Sequence, residues 1–334
     1  MGELKRYCCS IYVLLLLTFP IYLEGQALNP RFERLSLGGN NGLSQATVRS
    51  IIQDTMGFMW FGTADGLNRY DGKSFTIYRH QPETPHSLSS NFVKVLYEDS
   101  RGDLWIGTNN GLNRFDRVNN DFYTFLHQED NPSSLSHNNI GDILSDADGR
   151  MWVGGANGVL STYNPEEESF KHYSTPKHQS NINELHLAND KAIWIAFEDR
   201  SLVHFDPQTG QFKEIILDTG EEVLSIYEDQ EDRLWLGMDD GGLIIYNTKD
   251  GQLKHLRHNN QAPHSISNDV IWDIVEGPAG RILLATDQGI NFIHPSKIGE
   301  DIPQFGVYRN DPFNDYSLSS NFVIELFVGD NGIL

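Results

Sequence analysis

The chain has 334 residues, of which 39 % are hydrophobic, and its 46 acidic against 25 basic side chains leave a formal net charge of −21. That balance argues against a nucleic-acid-binding surface, which needs clustered Lys and Arg to neutralise phosphates, and it disfavours anionic membrane surfaces for the same reason. Length alone sets a prior of about two domains.

In chain order, Lys5 and Arg6 precede an apolar run from Ile11 to Leu23. The run is too short and too quickly ended for a membrane span, and Gly25 and Ala27 are small residues at the positions a signal peptidase reads. Residues 1–27 are therefore expected to be a signal peptide, with an uncleaved anchor as the alternative. Both cysteines, Cys8 and Cys9, lie inside this segment and match no lipidation pattern. A chain cut after Ala27 has no disulfide, no thiolate nucleophile and no cysteine-held zinc.

The rest is a repeat. Gly57-Phe-Met-Trp60-Phe-Gly-Thr63, Gly102-Asp-Leu-Trp105-Ile-Gly-Thr108 and Gly149-Arg-Met-Trp152-Val-Gly-Gly155 align, with weaker copies at Trp194, Trp235 and Leu283. The intervals of 45, 47, 42, 41 and 48 residues suit propeller blades and are too long for leucine-rich or ankyrin units. Each unit holds four short strand-like runs; in the second they are Phe92 to Glu98, Leu104 to Thr108, Leu112 to Asp116 and Phe122 to Phe125. Pairs such as Asp65-Gly66, Asn110-Gly111, Asn157-Gly158, Asp240-Gly241 and Gln288-Gly289 sit between the second and third runs, where tight hairpins need positive φ. No long window has helical periodicity. Four antiparallel strands repeated radially predict an all-β fold, a β-propeller.

The blade count follows from the ends. The last residues, Gly329 to Leu334, align with the stretch before a seventh tryptophan, and Arg31 to Leu35 resembles a fourth strand such as Phe122 to Phe125. A propeller closes with few exposed strand edges when an N-terminal strand completes the last blade. The expectation is seven blades over residues 28–334: six full repeats and part of a seventh, cut inside a longer protein.

The unit Leu88-Ser-Ser-Asn91 through Asp99-Ser-Arg-Gly102-Asp-Leu-Trp105-Ile-Gly-Thr108-Asn-Asn-Gly111 to Asp116, and its copy from Gly42 to Asp71, strongly resemble two-component regulator propeller repeats. The resemblance is sharp in blades one to three and degraded in four to six. It implies the periplasmic sensor region of a hybrid two-component system, or of a diguanylate cyclase in some relatives, followed by a membrane span and a cytoplasmic histidine kinase outside these residues. Oligosaccharides are the ligand class it implies, and a homodimer the working state of the full-length sensor.

Which residues carry chemistry is less plain. The repeated Trp, Gly and Thr suit blade packing, and Asp99-x-x-Gly102 and Asp146-x-x-Gly149 read as turns, since no series of alternating oxygen ligands follows for calcium. The run differs by one residue of spacing from the Asp-box of sialidases, so a secreted propeller glycoside hydrolase is the enzyme alternative; no Gly-x-Ser-x-Gly, His-Glu-x-x-His or phosphate loop is present. The histidines are scattered, several after fourth strands (His80, His127, His258), and neither a metal nor a cofactor is expected. The turns between second and third strands share one face with the connections between blades. That places Asp65, Asn109, Asn157, Glu198, Asp199, Arg200, Asp239 and Asp287 around one mouth as candidate sugar-binding groups, with Arg200 the first choice because it breaks the repeat. A second candidate set comes from aligning the first strands. Between two apolar columns lies a column reading Ser50, Val95, Asp142, Glu184, Ser225, Asp273 and Glu325. With the first strand innermost, this column becomes a negative ring on the central channel. Trp272, where other blades have Arg49, Lys94 or Gly141, is a candidate sugar-stacking platform. A third reading, contacts with protein only, predicts no small ligand.

Overall fold

Each repeat folds as one four-stranded antiparallel sheet whose strands pair in chain order. The computed structural model describes residues 30–38, 42–174, 177–217 and 220–329, so the expected signal peptide lies outside the described residues. Blade two consists of Val93–Glu98, Leu104–Thr108, Gly111–Asp116 and Asp121–Phe125, within a residue of the runs read from the sequence. The inner strands of the six blades are Val48–Gln53, Val93–Glu98, Ile140–Ser145, Ile182–Leu187, Val223–Glu228 and Ile271–Gly277.

The blade count is the first correction: among the described residues there are six four-stranded sheets, not seven. Among the described residues, the segment expected to begin a seventh blade belongs to no sheet, and a ladder needs a second strand beside it. It nevertheless lies between blades six and one. Val323 N donates to Thr286 O at 3.1 Å, Leu326 N donates to Asp273 Oδ2 at 2.8 Å, and the Glu325 carboxylate accepts the Ile51 N–H. The second correction concerns Arg31 to Leu35, which forms no strand. Its anchor is Phe32, whose N–H donates to Tyr316 O at 3.0 Å and whose ring meets Tyr308 edge-on at 6.1 Å. Among the described residues no third strand lies at the seventh position, so this stretch pairs with none.

The repeat's consensus residues hold blades together. Asp54, Asp99, Asp146 and Asp229 each accept the indole N–H of the tryptophan six residues on, at 2.8, 3.1, 2.8 and 2.8 Å. The same carboxylates accept two backbone N–H groups of their own turn, Arg101 and Asp103 in the case of Asp99. Those four tryptophans are fully buried. Burial by itself would raise the Asp54 and Asp99 carboxyls, but hydrogen bonds from Arg117 and Trp60 to the first, and from Trp105 and Arg101 to the second, outweigh it and hold both below the usual carboxylate range. Blade four has Ala188 in the Asp position and blade six has Gly277 and Leu283 in place of both partners.

The glycine after the tryptophan answers to the next blade. A Cβ on Gly62 would lie 2.7 Å from the Val93 side chain, and one on Gly154 the same distance from Ile182. The threonine belongs to a clasp between a blade's approach loop and its middle strands. Thr63 Oγ1 and Ser44 Oγ are 3.0 Å apart, and Asn68 accepts the Ser44 N–H while its amide donates to Ser44 Oγ. The pattern recurs at Ser89, Thr108 and Asn113 and at Ser267, Thr286 and Asn291. The loop histidines are likewise committed: Nδ1 of His80, His127 and His258 lies within 2.8 Å of the carbonyls of Leu88, Leu135 and Ile266.

Candidate functional site

Every inner strand carries an irregularity at the same place. Pairing with the second strand skips one residue between Val48 and Ser50, Val93 and Val95, Ile182 and Glu184, Val223 and Ser225, and Ile271 and Asp273, and blade three does the same around Gly141. These are β-bulges, in which two residues of one strand oppose one of its neighbour and the side chains are re-aimed. The consequence is that two successive residues per blade line the channel instead of one.

The lined space is a cavity of about 520 Å³, within the range of small-molecule sites. Its outer tier is Arg49, Lys94, Gly141, Asn183, Leu224, Trp272 and Ile324; its inner tier is Ser50, Val95, Asp142, Glu184, Ser225, Asp273 and Glu325. The inner tier is the column read from the sequence, and all seven of its members meet. The outer tier was visible only as the column beside it, with Trp272 singled out; the bulge that turns Arg49, Lys94 and Asn183 inward has no signature in the residue pattern. In the sequence, both columns between the two apolar ones change chemical type from blade to blade.

Part of the inner tier is structural. Asp142 accepts the N–H of Ile143 and, across the blade boundary, of Leu185, both at 2.8 Å. Asp273 does the same with Ile274 at 2.7 Å and Leu326 at 2.8 Å, and Ser50 Oγ accepts Leu96 N at 3.0 Å. Each ties its inner strand to the next. Glu184 is different: among the described residues its carboxylate accepts no hydrogen bond. Ser225, 3 % exposed, has a hydroxyl without a partner.

Enclosure by protein raises all four carboxyls. Asp142 and Asp273 are pushed up to about 6, against the pull of their backbone N–H donors. Burial lifts Glu184 and Glu325 well above the usual range, and mutual repulsion lifts them further, from Asp142, Asp273 and Glu325 for the first and from Asp273 and Asp142 for the second. Burial holds the Lys94 ammonium below the ordinary lysine range, with Glu198 and Asp142 pulling the other way and Arg49 adding to the depression. Lys94 Nζ donates to Asn139 Oδ1 at 3.3 Å, and the Arg49 guanidinium lies 4.8 Å from the centre of the Phe92 ring.

The loop candidates divide. The turns do lie beside the approaches to the inner strands: Asn109 N donates to Phe92 O, Glu198 N to Asn181 O and Asp239 N to Glu222 O. Glu198 also accepts the Asn181 amide at 2.7 Å. Around Glu222, which is bonded to Asn183, the charges of Glu198, Asp239 and Arg200 converge; burial and the two acids raise the Glu222 carboxyl and Arg200 opposes them. Arg200 stands where other blades have a turn glycine, with a φ of +73° in the left-handed region that glycine adopts more easily. Asp199 is used locally, by Ser201 and Ser180. Asp65 is paired with Arg79 at 2.8 Å, and Asn157, exposed, holds a turn at φ +58°; neither reaches the cavity, nor does Asn109. Asp287 joins the site indirectly: its Oδ1 accepts Trp272 Nε1 at 2.7 Å, fixing the ring at the mouth.

Residues 42–65, 87–110 and 134–157 match the model of the two-component regulator propeller. Each of these three stretches falls within one of the first three blades, where the consensus is most complete. A stretch of 80 residues is 40 % identical to histidine kinase P4 of Formosa agariphila, covering 24 % of this chain and 6 % of that protein. The chain also resembles the extracellular domain of a putative hybrid two component system from B. thetaiotaomicron, with a TM-score of 0.74 at 23 % identity over 91 % of this chain and 40 % of that one. Virginiamycin B lyase from Staphylococcus aureus shares the fold, with a TM-score of 0.61 at 16 % identity over 81 % of this chain and 88 % of that one. The chain thus spans a small part of its curated relative and less than half of the hybrid-system domain. Among the described residues no helix is long and apolar enough to cross a membrane, and no group of three His, Cys, Asp or Glu side chains is set to hold a metal ion.

Proposed function

We propose that this propeller is the extracytoplasmic ligand-sensing part of a two-component sensor, that its ligand is an oligosaccharide, and that it signals to a cytoplasmic histidine kinase carried outside these 334 residues. The observation that carries the reading is the two-tiered cavity at the centre of the ring, whose lining changes chemical type from blade to blade. Its lining combines an aromatic face, amide and hydroxyl groups and carboxylates, the mixture that grips the apolar faces and hydroxyl edges of sugars. The remaining positions of each blade are occupied by packing and clasps, which leaves the channel free to specialise. Export by residues 1–27, a periplasmic setting at the inner membrane and a homodimer of the whole sensor belong to the same reading.

Isothermal titration calorimetry of this chain against a panel of oligosaccharides tests it. Saturable binding that is lost in Trp272→Ala is the expected result. No binding across the panel would count against a sugar sensor, and turnover of any glycan would replace the sensor with a propeller hydrolase.

A further inference from the structure

The two tiers of the channel differ in sign. Both cations of the cavity, Arg49 and Lys94, stand side by side on blades one and two in the outer tier, while the four carboxylates lie deeper, on blades three, four and six and at the seventh position. Trp272, on blade six, lines the same cavity and is held by Asp287. Cations at the rim of a strongly acidic protein work against its overall charge of −21; Glu198 and Asp142 attract Lys94, but among the described residues neither cation is in a salt bridge. Lys94 spends one donor on a neutral amide, and Arg49 rests on an aromatic face. In the floor, Glu184 accepts no hydrogen bond from the described residues, although protein surrounds it.

Resting on the oligosaccharide reading, we infer that the cavity selects an acidic saccharide, one bearing a carboxylate or a sulfate ester. The anionic group sits between Arg49 and Lys94, where charge-assisted hydrogen bonds in a partly desolvated site are at their strongest. A sugar face lies against Trp272, and ring hydroxyls point down and donate to Glu184. The arrangement also rejects the wrong orientation, because an anion turned toward the floor would meet four acidic groups and no cation. A neutral sugar leaves Arg49 and Lys94 without the partner their placement serves. A simple cation would be drawn to the floor but has no use for the cations above it.

The test uses this chain and disaccharides matched except for charge: digalacturonate, a galactose disaccharide carrying one sulfate ester, and the neutral galactose disaccharide. One or both acidic members should bind at least about ten-fold more tightly than the neutral one. That preference should shrink as salt is raised from low to physiological strength. Lys94→Gln should remove most of the preference, Lys94→Arg should keep it, and thermal melting of each variant verifies folding. Because the salt titration is done on the unmodified chain, it stands even where a variant fails to fold. Equal binding of the neutral sugar, or a preference untouched by both salt and Lys94→Gln, overturns the selectivity and leaves the sugar sensor in place. Failure of all three, together with failure of the wider panel, overturns both.

Discussion

Asp99 and Asp142 sit in adjacent blades, and each accepts two backbone N–H groups, yet their carboxyls move in opposite directions. Asp99 adds a buried indole and the Arg101 guanidinium to its donors. Asp142 faces a channel in which its nearest relatives are other acids, with Lys94 as a distant counterweight. The first arrangement is a staple repeated wherever a blade has the Asp and Trp pair. The second is a ring of charges assembled from different residues in different blades. Repetition marks the parts of a propeller blade that hold it to itself, and departure from repetition marks the channel.

The most severe way to break that contrast is Trp105→Ala, which empties a fully buried site beneath the staple and should cost about 3–5 kcal/mol in chemical denaturation. Trp272→Ala, at the half-open mouth, should cost much less; equal losses would mean that the two tryptophans serve the same purpose. Next comes Asp142→Asn. In the folded protein this carboxyl protonates at about 6, and in the unfolded chain near its ordinary value, about 3.9. Between those values the folded state holds the extra proton, so its penalty is full above pH 6 and fades as the pH falls to about 4. The stability of Asp142→Asn relative to wild type should therefore be greatest at pH 7 and decline by up to about 3 kcal/mol on going to pH 4. His186, lowered to about 4 by burial, destabilises both proteins as the pH drops below 6.5 and cancels in the comparison. A pH-independent difference would show that the ring is not electrostatically stressed.

Ala188→Asp tests whether the staple can be written back into blade four. With Trp194 already in place, it should add about 1 kcal/mol; a loss would mean that the blade has repacked around the smaller residue. The smallest effect is expected for Arg200→Gly. Relief of a left-handed arginine should be worth about 0.5–1 kcal/mol after the added freedom of glycine in the unfolded chain. If sugar binding also falls in this variant, the side chain and not only the backbone matters at the rim.

Much of this was legible. The spacing of Trp60, Trp105 and Trp152, the turn pairs and the absence of helical periodicity lead to four-stranded blades, because strands of alternating burial joined by tight turns have few other ways to close. The inner column from Ser50 to Glu325 was also readable, since two flanking columns are apolar in every blade. Less legible was why Asp99 stands six residues before Trp105. A turn aspartate and a stapling aspartate look alike until the indole is placed.

What the sequence by itself determined is the blade: its strands, its turns and the consensus residues that lock it, all set by contacts local to one repeat or to the repeat beside it. The tertiary structure alone decided how blades meet around the channel. It placed a bulge in each inner strand and so turned Arg49 and Lys94 into the cavity above the acids. Among the described residues it shows six sheets, with the segment from Val323 to Leu326 bonded between blades six and one. A bulge arises from the twist and crowding of strands converging on an axis, a condition on the ring as a whole that no single repeat records.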